Sequence, residues 1–286
     1  MPIYSHSRIG CYETCPLQYK YRYVEKVKVE KRDSIEMYLG SRVHEAIQKI
    51  YHDRNQGKEV SLNSILEFFN TQWQSHWHDN VEIADPAMTV GDYRKSGEDA
   101  ITKYYERHQP FNDGQTIGIE FGVSIDLFGN GRYKLRGFID RLVKTADGAF
   151  EIHDYKTSKH LLSQDDADAD RQLALYQLGI RGKFPDAKDI KLVWHYLKFD
   201  KRIESRRTEA DLVSLRGKVG GQIDQIEIAE KSKSFPARTS PLCNYCDYKG
   251  ICPALNRSTK SINPGTVETQ ATSFFRRLMR AVGWSN

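Results

Sequence analysis

The feature that most constrains this chain lies between Thr116 and Thr157. There apolar residues recur at every second position through three runs, IGIEFGVSIDLF, YKLRGFIDRLVK and FEIHDYKT. A period of two marks strands that bury one face. The intervening GNGR and ADGA pieces hold the Gly, Asn and Asp that tight reversals need, so the three runs predict a meander. The period then changes. Gln164 to Lys183 reads as a helix with Leu173, Tyr176 and Ile180 facing inward, IKLVWHYLKF and RIESRRT as a strand pair, and Glu209 to about Lys231 as a long helix. Three strands, a helix and a strand pair predict an α/β core built on a mixed sheet.

Upstream, Ser7 to Val27 carries Tyr12, Tyr19 and Tyr23 with Cys11 and Cys15 on the spacing of one helical face, interrupted by Pro16. A second helix is expected from Ser34 to His52, where Met37, Val43, Ile47 and Ile50 recur at helical intervals. Ile65, Leu66, Phe69, Trp73 and Trp77 share one period, and Ala100, Ile101, Tyr104 and Tyr105 another. This stretch of about 61–110 reads as a helical insertion. Its aromatics are ordinarily helix core, although aromatics beside basic residues can also stack on unpaired bases. The expected organisation is one domain over 1–255 with a cysteine loop at about 236–253. A tail over 256–286 follows, ending in the short basic amphipathic run SFFRRLMRAVGW.

Composition narrows the class. Of the 286 residues 39% are hydrophobic and 28% charged, values of a globular rather than a disordered chain. No run of about 18 apolar residues occurs, and MPIYSHSRIG lacks the apolar stretch of a secretory signal, so the expectation is a cytoplasmic protein without a membrane segment. A net charge of +5 leans mildly toward polyanionic partners. Five cysteines in such a compartment point to metal chemistry or core packing rather than a disulfide framework.

The chemistry-bearing residues sit in the meander. On a strand, Asp154 and Lys156 of EIHDYKTSK share a face, and a turn at Asp147–Gly148 folds Asp140 of GFIDRL back beside them. An Asp–Lys neighbour on a strand is usually a surface pair worth under about 1 kcal/mol. These carboxylates, however, are set in apolar strands, where a charge is costly without a partner or a metal. Two carboxylates and an ammonium suit phosphodiester hydrolysis. Carboxylate oxygens hold Mg²⁺ or Mn²⁺, which activates water and neutralises the phosphate, while lysine positions or deprotonates the water and offsets developing charge. His44 in LGSRVHEAI offers a nitrogen ligand, Glu120 is a weaker candidate for the metal shell or a buried ion pair, and Gln172 and Tyr176, one helical turn apart, suit orienting Lys156 or gripping a phosphate.

Cys243, Cys246 and Cys252 form C-x₂-C-x₅-C before Pro253, a strong ligand signal that needs a fourth thiolate, from Cys15 or Cys11. Iron–sulfur clusters and structural zinc both accept four thiolates.

Taken in order, YSHSRIGCYETCPLQYKYRYV, LGSRVHEAI, GFIDRLVK, EIHDYKTSK, QLALYQL and CNYCDYKGICP resemble the RecB-type branch of the PD-(D/E)XK nuclease superfamily. The likeness is greatest to members with a four-cysteine cluster, such as the AddB C-terminal nuclease and CRISPR-associated cluster-bearing exonucleases. It implies a restriction-endonuclease-like mixed sheet flanked by helices, with His44, Asp140 and Asp154 as metal ligands, Lys156 as the catalytic lysine and Gln172 and Tyr176 as a supporting pair. It also implies a [4Fe-4S] cluster on Cys15, Cys243, Cys246 and Cys252, with Cys11 left over, and action on single-stranded DNA or DNA ends. No P-loop motif is present, so a helicase partner would have to be another chain. Two readings from other classes stand beside this one. The first is a DNA-binding or partner-activated subunit of a larger complex, and the second is a zinc-bound regulatory protein recruiting a partner through the basic tail.

Overall fold

A computed structural model of the chain describes residues 2–30 and 33–256. The tail run SFFRRLMRAVGW therefore lies outside the described residues. In chain order the elements are α1 (His6–Thr14), α2 (Pro16–Tyr19), a π-helical turn (Lys20–Val24), β1 (Asp33–Ser34), α3 (Ile35–Asn55), α4 (Leu62–Ser75), β2 (Val81–Glu82), α5 (Val90–His108), β3 (Gln115–Asp126), β4 (Lys134–Lys144) and β5 (Phe150–Lys156). They continue with α6 (Gln164–Ala169), α7 (Arg171–Lys183), β6 (Ile190–Tyr196), β7 (Lys201–Ser205) and α8 (Glu209–Ser232), and two 3₁₀ turns follow in the cysteine loop. Among the described residues no helix is long and apolar enough to cross a membrane. Packing divides the chain into two units, one of Met1–Arg32, Asp126–Arg136 and Arg216–Asn286, the other of Asp33–Ile125 and Gly137–Leu215.

In the first unit Ser5 caps α1 by accepting from the Arg8 backbone N–H, and Cys15, extended before Pro16, separates α1 from α2. The Arg8 guanidinium lies 4.9 Å from the Tyr4 ring, 5.4 Å from Tyr19 and 5.1 Å from Tyr23. Arg8 also donates to the Tyr19 hydroxyl at 2.8 Å, and that hydroxyl donates to Glu230 of α8 at 2.9 Å. Tyr4, Tyr19 and Tyr23 thus surround one cation, and Tyr12 packs edge-on against Tyr19.

The second unit carries most of a five-stranded sheet of order β3-β4-β5-β6-β7. β4 and β5 are antiparallel, pairing Arg141 with His153, and Gly148 at φ +87 turns the chain between them. β5 and β6 are parallel, pairing Asp154 with Trp194 and Lys156 with Tyr196, while β6 and β7 are antiparallel. The mixed sheet is as expected, and its parallel pair requires a crossover, which α6 and α7 supply. The single helix expected over Gln164 to Lys183 is instead two. Asp170 is extended there and accepts from the Leu173 N–H at 3.1 Å, because an aspartate caps a helix start better than it continues an interior.

The sheet's alternation sends Glu151, His153 and Tyr155 to one face and Ile152, Asp154 and Lys156 to the other. Tyr155 joins a core made with α3, α4 and α5, including Val43, Ile47, Phe69, Trp73, Ile101 and Tyr104. Trp73 and Tyr104 are buried, and the Tyr105 hydroxyl donates to the Val60 carbonyl at 2.7 Å, so these three aromatics serve packing. Trp77, at 36% exposure, is the most open of the four. Also buried is Arg141, which donates to Asp113 at 3.0 Å and to Thr116 at 3.0 Å and lies 3.5 Å from the Tyr51 ring. Removing the half-buried Asp113 would leave the buried guanidinium short of its counter-charge.

Behind Tyr155, His153 and His195 stack with Nδ1 and Nε2 at 2.8 Å, and the His108 ring lies 5.2 Å from that of His195. Burial lowers the His108 pKa from 6.5 to about 4, with Asp113 opposing and Arg141 and Arg202 assisting, and it lowers His195 well below its ordinary value. A histidine whose folded pKa lies below its unfolded value binds fewer protons when folded, so its neutral burial is lost as stability when pH falls. We expect the Tm advantage of wild type over His108→Gln to be constant above about pH 6.5 and to shrink as pH falls toward 4. A difference independent of pH in thermal melts would show that His108 does not titrate this way.

Candidate metal centre

Extending the Arg141–His153 pairing by one position sets Asp140 of β4 across from Asp154 of β5, and both are buried. The Asp140 Oδ2 accepts the Tyr155 backbone N–H at 2.8 Å. Helix α3 brings His44 to the same place. Its Nε2 stands 2.6 Å from the Tyr155 carbonyl, which can only accept, so Nε2 carries a proton and Nδ1 is the nitrogen available as a ligand. That Nδ1 faces Asp140 Oδ2 at 3.6 Å. From β3 comes Glu120, and ligand atoms of His44, Glu120 and Asp140 all lie within 4.8 Å of one another.

Electrostatics gives this grouping its meaning. Burial raises the Asp140 pKa, with nearby Asp154 adding to the rise and His44 opposing it, and burial together with Asp140 raises that of Glu120. Both shifts record carboxylates short of positive charge. Two hard oxygen donors and an imidazole lone pair directed at one point fit a divalent cation, and the His44 Nε2–H bond to a carbonyl is the kind of outer contact that orients a ligating histidine.

Asp154 stands outside that threesome and is compensated differently. Its oxygens lie 3.0 and 2.8 Å from the Lys156 Nζ. Burial alone lowers the lysine's pKa, but Asp154 and then Asp140 outweigh it and the pKa rises. Without a metal Lys156 is thus held as an ammonium, a form that suits charge stabilisation. The α7 pair reaches the same carboxylates. Gln172 Nε2 donates to the Tyr176 hydroxyl at 3.3 Å, and burial pushes that hydroxyl up to about 12, with Asp154 and Asp140 contributing and Lys156 opposing. His44, Asp140, Asp154, Lys156, Gln172 and Tyr176 are therefore brought together, and Glu120 enters the ligand grouping more fully than its sequence suggested.

Two residues here were not singled out from sequence. Gln48, one turn beyond His44, donates to Glu120 Oε1 at 2.6 Å. Gly137 makes room for Tyr176, since a Cβ there would lie 2.1 Å from the ring. The signal for Gly137 was its place in GFIDRL, and for Gln48 the i, i+4 spacing from His44.

The cysteine expectation is not met in the same way. All five thiols are free and half-buried, and among the described residues no three cysteine sulfurs come within 4.8 Å of one another. Burial pushes Cys11 up to about 12 and raises Cys246. Sulfur contacts go instead to backbone, from Arg238 N–H to Cys15 at 3.5 Å and from Ser240 N–H to Cys243 at 3.4 Å. This geometry does not support a [4Fe-4S] cluster on Cys15, Cys243, Cys246 and Cys252.

The close approach at Gly137 is directly testable. Gly137→Ala should destabilise by about 1–3 kcal/mol, as overpacking does. The control Gly182→Ala, where nothing lies within 4 Å, should leave the Tm unchanged or slightly raised. Equal melting temperatures for the two variants would mean that the Tyr176 ring yields freely.

Comparison with known proteins is consistent with this chemistry. No curated protein matches the chain. A crystal structure of a candidate exonuclease from Eubacterium rectale is 14% identical, covers 90% of each chain and has a TM-score of 0.49. That of SSO0001 is 15% identical, covers 86% of this chain and 94% of its own, and has a TM-score of 0.33. Likeness at these scores adds nothing about activity. The decisive match is to the family model for the PD-(D/E)XK nuclease superfamily, which spans residues 3–253 and takes in every residue of the centre; the chain belongs to that superfamily, whose members hydrolyse phosphodiester bonds with divalent metals.

Proposed function

We propose that this protein is a Mg²⁺- or Mn²⁺-dependent deoxyribonuclease of the RecB/AddB-like branch, an exonuclease acting on single-stranded DNA or DNA ends in repair, recombination or defence. The observation that carries the reading is the convergence of His44 Nδ1, Glu120 and Asp140 beside the Asp154–Lys156 pair. The ordered resemblance of the sequence motifs supports the branch and the preference for ends, and the basic net charge is compatible with a polyanionic substrate.

In this reading His44, Asp140 and Asp154 hold the metal, as the motif resemblance implies, with Glu120 added by its position. A divalent ion bound there supplies Lewis-acid neutralisation of a phosphate and a water of lowered pKa. The chain's own contributions are distinct. Asp154 orients Lys156 through a two-oxygen contact, and the ammonium presents fixed positive charge to a phosphate. Tyr176 and Gln172 offer a hydroxyl and an amide from the buried side, where they steady Lys156 or grip the phosphate. The nuclease spans residues 1–255, with 256–286 as an appendage, and the cysteines have no part in hydrolysis.

The test is cleavage of end-labelled single-stranded and duplex DNA with Mg²⁺, Mn²⁺ or EDTA, alongside Lys156→Ala. We expect metal-dependent cutting, shortened products that start at an end, and a loss of about 10²–10³-fold in the variant. Folded wild-type protein that cuts nothing with either metal would replace this reading with that of a DNA-binding or partner-activated subunit.

A further inference from the structure

We propose that Gln48 is a positioning residue of the metal centre, whose side-chain amide holds the Glu120 carboxylate in the orientation that presents it to the ion. The inference rests on the functional reading above and deepens it, since no ligand role is claimed for Gln48 itself.

Three observations carry it. First, Gln48 follows His44 by four residues on α3, so one helix face presents both an imidazole and an amide to the same place. Second, the amide Nε2 donates to Glu120 Oε1 at 2.6 Å across 72 positions of sequence. An NH₂ group can only donate, so it occupies one oxygen of the carboxylate and leaves the other.

Third, Glu120 lies within β3 at φ +48, a left-handed conformation uncommon for a residue with a side chain. Such a conformation persists where its surroundings over-determine it. The backbone around it is correspondingly tight, for a Cβ on Gly118 would lie 2.5 Å from the Phe121 ring. A strand that reverses its local twist at one residue re-aims that residue's side chain, as bulges beside active sites do. Without a partner, a carboxylate on such a kink would rotate away from Asp140, and the Gln48 amide opposes that rotation. α3 therefore supplies His44 at one turn and, at the next, the group that steadies a carboxylate delivered from the sheet.

The experiment is an electron paramagnetic resonance titration of free Mn²⁺ with wild type, Gln48→Leu and Asp140→Asn, with metal-free melting temperatures and Mn²⁺-dependent DNA cleavage measured in parallel. Gln48→Met serves if the leucine variant is unstable. We expect Gln48→Leu to retain the wild-type melting temperature when metal-free, to bind Mn²⁺ about 10–100-fold more weakly, as loss of an outer-shell partner does, and to recover cleavage as Mn²⁺ is raised to saturation. A purely structural role would instead lower the melting temperature and leave the affinity of the folded fraction unchanged. Wild-type affinity in a folded Gln48→Leu, with Asp140→Asn impaired, overturns the role of Gln48 and leaves the metal centre standing. Failure of wild type itself to bind Mn²⁺ overturns both.

Discussion

Two carboxylates side by side, the buried Asp140 and the half-buried Glu120, with an imidazole nitrogen turned toward them, form the constraint around which the second unit is organised. Isolated charge in a protein interior is costly, and a buried carboxylate takes up a proton or finds a cation to relieve that cost. The neighbouring Asp154 has found one in Lys156. Glu120 and Asp140 are satisfied in part by donors, the Gln48 amide and the Tyr155 N–H, and remain under mutual repulsion. The centre thus has a compensated half that supplies fixed positive charge and an uncompensated half that calls for a cation. That asymmetry fits a cation-binding centre better than a surface ion-pair network.

The fold exists to hold those halves together. Antiparallel pairing of β4 and β5 sets Asp140 against Asp154, and alternation within β5 adds Lys156 to the same face. The parallel β5–β6 pair demands a crossover, and the crossover helix α7 carries Gln172 and Tyr176 over the site, with Gly137 giving the Tyr176 ring its room. On the opposite face Tyr155 anchors β5 in the α3–α5 core while its carbonyl fixes the His44 ring. A single residue thereby links core packing to the orientation of a candidate ligand.

Much of this was legible in the sequence because strands announce themselves by alternation, and charges inside alternating apolar runs stand out. Asp140, Asp154 and Lys156 were found that way. The α6–α7 break at Asp170 was not, since the inward residues all lie beyond it and capping is a local preference that periodicity does not report. Glu120 was underrated because nothing in a one-letter code reports a positive φ, although Gly118 and Gly122 on either side hinted at irregular backbone. Gln48 could not be told from a solvated polar residue on a helix until a strand 72 residues on met it. The cysteines show the reverse. Their spacing is eloquent, yet spacing records which residues are able to converge and not whether their sulfurs do.

The most direct test of the account is an anomalous difference map at the manganese edge from crystals of the protein soaked in Mn²⁺. We expect a peak enclosed by His44 Nδ1, Glu120 and Asp140. A protein that takes up Mn²⁺ elsewhere while these three side chains keep their metal-free positions would contradict it.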